Sequence, residues 1–163
     1  MRMSRRMGLL GGGGPLWLFD GTKGGDVTKV TGGWERVFNP DGHYTSSAEV
    51  REDCLYFSHK RNDSKSNSVS LTTVNPIDFS KVSTLYCNAY RNTKSDYGTV
   101  MLYLVNASGN NVAQVQLSKQ TAATVTSLDC SKVTEPCRVR LTGSGTKNVV
   151  AQILNYVTQI WGE

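Results

Sequence analysis

A short turn sequence occurs twice in this chain, each time directly before a stretch with strand character. Its two copies are residues 77–82 (IDFSKV) and residues 128–133 (LDCSKV). In each copy the aspartate can accept hydrogen bonds from the amides that follow it, and the lysine can keep its ammonium group in water. Such a turn leads into an extended, half-buried run. Two of these units in one chain predict an all-β fold, an antiparallel β-sandwich with similar corners.

Further strand-like runs recur along the chain with turn residues between them. Short strands at spacings of roughly 8–15 residues are typical of a sandwich or jelly roll. The last run is mostly β-branched or aromatic, which favours a strand over a helix. We predict strands at Leu16–Asp20, Trp34–Phe38, Cys54–His59, Ser68–Thr73, Thr84–Arg91, Gly98–Asn106, Asn111–Leu117, Thr124–Leu128, Cys137–Thr142 and Asn148–Trp161.

The first 15 residues differ in composition from the rest, and we predict a flexible, basic arm (1–15) before a single β-sandwich domain (16–163). Four consecutive glycines at positions 11–14 lose too much backbone entropy to become ordered without a partner. The arm is either a disordered tail or a strap that docks on a neighbouring subunit. The residues of such a strap would be Arg2, Met3, Arg5, Arg6, Met7, Leu9 and Leu10.

Charge and hydropathy narrow the range of partners. Three of the five net positive charges belong to the arm, so the folded part has an ordinary balance that does not indicate a nucleic-acid-binding face. The apolar stretch of the arm stops at the glycines without the usual cleavage site, and we expect no signal peptide. No run approaches the roughly 20 apolar residues of a membrane span.

Four cysteines and two histidines limit metal and redox chemistry. None of the cysteines forms a C-x-x-C pair, so we expect no zinc site. Cys54 and Cys87 lie in apolar strand patterns and are predicted to be buried, reduced thiols, whereas Cys130 and Cys137 either stay free or pair across a turn. We expect no cofactor other than a structural calcium ion at the oxygen-rich turns of Asp20 and Asp41; ordinary hairpin turns are the alternative.

Candidate catalytic groups are few. We interpret both histidines, His43 and His59, as residues of solvated loops, and no G-x-S-x-G nucleophile turn occurs. Three acids, Glu49, Glu52 and Asp53, cluster beside an arginine on what we interpret as a solvated strand edge. The chain is therefore predicted not to be an enzyme. If it were one, a small glycan hydrolase that uses these acids or His43 would be the hypothesis to test.

A groove for sugars is the ligand site that the composition favours. Aromatic rings offer flat apolar faces, and amide, carboxylate and guanidinium groups supply directed hydrogen bonds to hydroxyls. The polar loop that follows Tyr90 is interpreted as the exposed centre of this site, while Trp34 and Tyr56 are either ligand-binding or core residues. The predicted glycan-binding residues are Arg91, Asn92, Asp96, Tyr97, Trp34 and Tyr44.

Four segments together form a sequence pattern found in a known group of proteins. They are the two repeated turns with their flanks, residues 75–85 (NPIDFSKVSTL) and 128–133 (LDCSKV), and the segments 31–34 (TGGW) and 157–161 (VTQIW). Over residues 16–163 the chain resembles the jelly-roll, galactose-binding-like domains of virion proteins from phages and prophages of Gram-positive gut bacteria. The matched positions are structural, so no ligand residue is transferred.

This resemblance implies a non-enzymatic virion structural protein: a tail, baseplate or fibre appendage, or a capsid decoration. Such a protein assembles in the host bacterial cytoplasm, and its partners would be other virion subunits, copies of itself and a host-surface glycan. From the sequence itself we predict no membrane binding and no nucleic-acid-binding face on the folded domain, while the arm would contact either protein or packaged DNA. The alternative function is a free, lectin-like carbohydrate-binding module.

Overall fold

The computed structural model describes residues 14–38, 46–59, 67–94, 98–145 and 152–163. In these ranges the regular secondary structure is almost entirely strand, and the prediction of an antiparallel β-sandwich is confirmed. A 3₁₀ turn (Gly21–Lys23) and one helical turn, α1 (Thr28–Thr31), are the helical elements described. The strands are β1 (Leu16–Asp20), β2 (Gly25–Asp26), β3 (Trp34–Phe38), β4 (Ser46–Val50), β5 (Leu55–His59), β6 (Asn67–Thr73), β7 (Thr84–Arg91), β8 (Thr99–Val105), β9 (Asn111–Gln116), β10 (Thr124–Asp129), β11 (Arg138–Gly145) and β12 (Ile153–Gly162).

The strands form two sheets. In the five-stranded sheet the order is β3-β6-β11-β8-β9. In the seven-stranded sheet β12 is central: one edge pairs with β7, beyond which lies β10. Its other edge pairs with β5 along its first half and with β1 along its second half. β4 then pairs with β5, and β2 with β1.

Every predicted strand is present, with ends that differ by a few residues. The last one begins at Ile153 rather than Asn148, and residues 146–151 lie outside the described part. β2 and β4 were not predicted: β2 has two residues, and β4 (SSAEV) has only one β-branched residue and therefore little strand propensity. The arm residues 1–13 also lie outside the described part, and the arm stays a prediction.

Alternation of side chains along the strands builds the core between the sheets. On β11, Val139 and Leu141 are fully buried, and on β8 the same holds for Leu102 and Leu104. Their neighbours in sequence point to the outer face, as the two-residue period of a strand requires. Each such leucine stabilises the fold by roughly 1.5–3 kcal/mol relative to an exposed side chain.

The repeated turns form similar corners, as predicted. The Asp78 carboxylate accepts a hydrogen bond from the Ser80 amide at 2.8 Å, and the Asp129 carboxylate accepts one from the Ser131 amide at 2.9 Å. The pKa of Asp78 is lowered first by the Ser80 amide and then by its hydroxyl, and the pKa of Asp129 first by the Ser131 hydroxyl and then by its amide. Each corner places the following chain against the core, where Val82 and Val133 are buried.

The cysteines are structural thiols. Cys54, Cys87, Cys130 and Cys137 are all buried and free, which confirms the prediction for Cys54 and Cys87. The Cys130 thiol donates to the Leu128 carbonyl, 3.5 Å away, rather than pairing with Cys137. Within the described ranges no helix is long and apolar enough to cross a membrane.

Candidate functional site

The outer face of the five-stranded sheet has a polar row that crosses all five strands. Glu35 on β3 lies opposite Thr72 on β6, Thr72 opposite Arg140 on β11, Arg140 opposite Tyr103 on β8, and Tyr103 opposite Gln114 on β9. We call these residues the Arg140 row. With neighbouring strands about 4.8 Å apart, it spans about 19 Å.

A second row runs beside the first across the same strands. It consists of Val37, Ser70, Thr142, Met101 and Gln116, each opposite the next. The Ser70 and Thr142 hydroxyl oxygens lie 2.9 Å apart and share a hydrogen bond. Val37 is 56% exposed, so this row offers hydroxyl groups beside an accessible apolar side chain.

Two cavities open on this face, and Arg140 lines both of them. We call the two together the groove. The smaller cavity, of about 340 Å³, is lined by Val37, Phe38, Ser68, Ser70, Tyr103, Arg140 and Thr142. The larger cavity, of about 640 Å³, is lined by Thr72, Pro76, Val105, Asn106, Ala107, Gly109, Glu135, Pro136, Arg138 and Arg140.

Three contacts fix the groove's arginines. The guanidinium carbon of Arg140 lies 4.7 Å from the centre of the Tyr103 ring, and its Nη2 donates to Asn111 Oδ1 at 2.8 Å. Arg138 has a different partner, because its Nη1 lies 4.0 Å from Glu35 Oε2. The charged groups of the groove are therefore held by an aromatic ring, an amide and a carboxylate, while hydroxyl groups surround them.

The outer face of the seven-stranded sheet is aromatic instead. Tyr56, Tyr156 and Tyr90 form one row, in which the Tyr156 ring centre lies 5.6 Å from that of Tyr56 and 4.8 Å from that of Tyr90. Arg51 covers the Tyr56 ring at 3.8 Å. These rings contact one another across strands, which stabilises the sheet.

A second row on the same face also consists of three aromatic side chains in contact across strands. Trp161 lies between Trp17 and Tyr86, with ring-centre distances of 5.6 and 5.4 Å. In both rows the side chains are half-buried, and the central ring contacts a ring on each side, so the rings form cross-strand ladders.

Arg91 does not lie in an exposed loop, as the sequence led us to expect. Its side chain is 2% exposed. The guanidinium donates from Nε to Asn155 Oδ1 at 2.9 Å and from Nη2 to the Gly98 carbonyl at 3.0 Å. The reason is that Arg91 ends β7 on its inward side, where the strand alternation directs it into the interior. Arg91 therefore ties β7 to β12 and to the start of β8.

The other predicted glycan-binding residues are not brought together with the groove. Asn92 is exposed and bridges to β12, where its Oδ1 accepts from the Leu154 amide at 2.9 Å. Trp34 is half-buried against the core and donates from Nε1 to Asp26 Oδ1 at 2.9 Å. Tyr44, Asp96 and Tyr97 lie outside the described residues. Their assignment as ligand contacts stays a prediction.

The predicted calcium turn at Asp20 is occupied by protein donors. Asp20 Oδ1 accepts from the Thr22 amide and hydroxyl, and from Gln159 Nε2 at 3.2 Å. These bonds and Lys23 lower the carboxyl's pKa although burial acts to raise it. No group of three or more His, Cys, Asp or Glu side chains suited to a metal occurs within the described ranges. Asp41 lies outside them.

The candidate catalytic residues are also separate from the groove. His59 is fully buried rather than solvated, because it faces the interior from β5. Glu49 is exposed and paired with Arg51 on the seven-stranded sheet. Glu52 and Asp53 are exposed in the turn between β4 and β5. His43 lies outside the described part.

The sequence analysis missed Tyr103, Arg138 and Arg140. The available signal was the alternation in β11 (RVRLTGSG) and in β8 (TVMLYLV), which places Arg138, Arg140 and Tyr103 at outward positions. The alternation shows which side chains of one strand share a face, but it does not show which strands lie beside it. Only the register of β11 between β6 and β8 brings these side chains together.

Comparison with known proteins supports the fold. Neither a protein-family model nor a curated protein sequence matches the chain. Among solved structures, a mutant of a family 29 carbohydrate-binding module is similar, with a TM-score of 0.55, 12% identity and 91% of each chain covered. A carbohydrate-binding module described as part of a β-sandwich superfamily with promiscuous specificity has a TM-score of 0.56 and 12% identity, over 89% of this chain and 61% of that one.

A part of an enzyme is similar as well. The glycoside hydrolase domain of Endo-D from Streptococcus pneumoniae R6 has a TM-score of 0.60 and 10% identity. The match covers 80% of this chain but only 21% of that chain. At such identities these similarities establish a jelly-roll type of β-sandwich, shared by carbohydrate-binding modules, and the ligand must be argued from the groove.

Proposed function

We propose that this chain is a non-catalytic module that binds a glycan in the groove of its five-stranded sheet. The observation that carries the proposal is the Arg140 row, an extended line of hydrogen-bonding side chains with a tyrosine, beside two cavities that share Arg140 in their lining. An oligosaccharide needs many directed polar contacts and some apolar surface, and this face offers both. The aromatic ladder of the opposite sheet uses its rings for internal contacts.

The similarity to carbohydrate-binding modules supports this proposal. One of the similar structures is a family 29 module complexed with mannohexaose, with a TM-score of 0.53, 8% identity and 91% of this chain covered. Between the two functions suggested by the sequence, these neighbours favour the carbohydrate-binding module over the virion appendage. The virion role, with its subunit partners, stays a prediction.

A hydrolytic function has less support. Glycoside hydrolysis requires two carboxyl groups on either side of the scissile bond, roughly 5–9.5 Å apart. Glu135 lines the larger cavity, whereas Glu35 lies on the same face outside both linings and is paired with Arg138. Glu49 belongs to the other sheet. We therefore infer binding without turnover.

A glycan array followed by calorimetry tests the proposal. We expect the full chain to bind at least one oligosaccharide class, and Tyr103→Ala to weaken that binding at least tenfold, the size of effect that a central aromatic contact gives in a binding site. Tyr90→Ala is the matched control, because Tyr90 is also a half-buried strand tyrosine but belongs to the opposite sheet. Both variants need a native circular dichroism spectrum.

Three results would contradict the proposal. The first is an array without any binding by the folded full chain. The second is equal loss of affinity in the Tyr103 and Tyr90 variants, which would separate binding from the groove. The third is release of reducing sugar from a bound oligosaccharide, which would make the chain an enzyme.

A further inference from the structure

Arg140 has an unusual position in the groove. It stands in the middle strand of the sheet, with Thr72 on one side and Tyr103 on the other. Among the described residues that line the smaller cavity, it is the only charged one. Any ligand that extends from one cavity to the other passes beside this cation.

The guanidinium is fixed but not neutralised. The Tyr103 ring and Asn111 Oδ1 hold it, and both contacts leave its positive charge uncompensated. In the described part of the chain, Arg138 and Arg51 each have a carboxylate partner, but Arg140 has none. No described atom accepts a hydrogen bond from its Nη1.

The side chains around Arg140 are donors as much as acceptors. The Ser70 and Thr142 hydroxyls line the same cavity. One of their two protons forms the hydrogen bond between them, so the other can be donated to a ligand. Val37 and Phe38, which are 56% and 37% exposed, add apolar surface that lowers the local polarity. A cation flanked by donors and apolar groups favours an anionic ligand group, and the planar fork of arginine matches a carboxylate.

We infer that the groove selects acidic glycans, with the carboxylate of a uronic acid residue bound at Arg140. This inference rests on the proposed glycan-binding function and specifies the ligand of the same groove. The sugar ring that bears the carboxylate would lie over the Thr142 side of the smaller cavity, and neighbouring rings would continue past Thr72 toward Arg138.

Matched pairs of oligosaccharides test the inference. Each pair consists of a uronic acid oligosaccharide and its methyl ester, which has the same rings without the charge. Galacturonate, mannuronate and glucuronate backbones should all be included, together with neutral hexoses. A charge-assisted hydrogen bond contributes about 1.5–3 kcal/mol, so at least one acid should bind roughly tenfold to a hundredfold more tightly than its ester.

Two variants locate the effect at Arg140. Arg140→Met keeps the length of the side chain but removes its charge, and it should bring the ratio of acid to ester affinity close to one. Arg51→Met is the control, because Arg51 also lies against a tyrosine ring but on the other sheet. It should leave the ratio unchanged.

A third variant is expected to bind acidic glycans more tightly than the parent chain, a result that misfolding could not produce. Glu35→Gln removes the carboxylate that lies 4.0 Å from Arg138, and so raises the positive potential of the groove. Because surface charge pairs contribute about 0.2–1 kcal/mol, acid binding should improve by up to roughly fivefold. Added salt should weaken acid binding and leave ester binding constant.

The outcomes separate the two proposals. If neutral glycans or esters bind and no acid is preferred over its ester, the inference is overturned and the glycan-binding function remains. If an acid is preferred but the preference survives in Arg140→Met, the assignment to Arg140 is wrong. If nothing binds to the folded chain, the proposed function itself fails.

Discussion

His59 is a titratable group enclosed in the interior. Its Nδ1 lies 3.3 Å from the Ser46 hydroxyl oxygen, and its Nε2 is buried without a hydrogen-bond partner. Burial, and then the nearby Arg91 charge, lower its pKa to about 4. The imidazole is therefore neutral near pH 7, and protonating it inside the protein is unfavourable.

This burial predicts acid sensitivity. In the unfolded chain the pKa returns to about 6.5, so the unfolded state binds more protons as the pH falls, and stability is lost between about pH 6.5 and pH 4. Between pH 7.5 and pH 5 we expect His59 to account for a loss of about 2 kcal/mol in the free energy of unfolding. Urea unfolding at both pH values measures it. In His59→Gln the difference should largely disappear; an unchanged difference would contradict the prediction.

The buried thiols should be unreactive in the native state. Burial, the first cause in each case, raises the pKa of Cys54 to about 12 and of Cys130 to about 11, and also raises that of Cys87 and Cys137. Since the thiolate is the reactive form, Ellman's reagent should label none of them quickly until urea unfolds the chain, when all four should react. Rapid labelling of one thiol in the folded protein would show that it is exposed.

At the scale of the residue, sequence reasoning was most successful where a role depends on near neighbours. The Asp78 and Asp129 turns were predictable because each aspartate binds an amide two positions further along. Arg91 was not, because an arginine at a strand end is usually solvated, and hydrogen bonds to partners distant in sequence, among them the Gly98 carbonyl and the Asn155 amide, make its burial tolerable.

β11 is the element on which both the core and the groove depend. It pairs with β6 over residues 140–145 and with β8 over residues 138–144. Its inward residue Gly143 packs closely against β5: a Cβ atom there would lie 2.4 Å from His59 Cε1 and 2.9 Å from Phe57 Cδ1. The absence of a side chain at this position allows β11 and β5 to approach each other.

Gly143→Ala should therefore destabilise the protein. Overpacking a filled interior typically costs about 1–3 kcal/mol, and the histidine and phenylalanine rings can move only by displacing other core residues. Chemical unfolding measures the change. Ser144→Ala, at the adjacent outward position, should stay within about 0.5 kcal/mol of the parent chain. Equal stability of Gly143→Ala and the parent would mean that the core can rearrange freely.

Strands with many β-branched and aromatic residues could be located from the sequence, whereas β4 could not. β4 is small and polar, and its place is determined by tertiary contacts: Ser46 and Ala48 are buried because β4 pairs with β5. The order in which the strands pair could not be predicted from the sequence either. Nothing local indicates that β11 lies between β6 and β8, which is why the groove was not foreseen.

In the molecule as a whole, the outer faces of the two sheets have different features. One sheet carries aromatic ladders that support the sandwich, and the other carries the groove. Each outer face has an arginine paired with a glutamate, whereas Arg140 on the groove face has no carboxylate partner among the described residues. The fold class was thus predictable from composition and strand pattern, while the location of the site required the three-dimensional arrangement of both sheets.

Removing residues 1–13 tests the predicted arm. Because the strands described here begin at Leu16, the truncated chain should retain its melting temperature and its glycan affinity. If the arm is a strap between subunits, light scattering should show a change from oligomer to monomer. Loss of folding on truncation would contradict the domain boundary, and an unchanged oligomer would contradict the strap.

The central position of β12 also determines when, during synthesis of the chain, the seven-stranded sheet can form. Residues 159–162 pair with residues 16–20, so the earliest described strand must wait for nearly the whole chain to leave the ribosome. Contacts this distant in sequence slow folding. The five strands of the other sheet all precede β12 in the chain, but their inner face stays uncovered until β12 joins the two halves of the seven-stranded sheet.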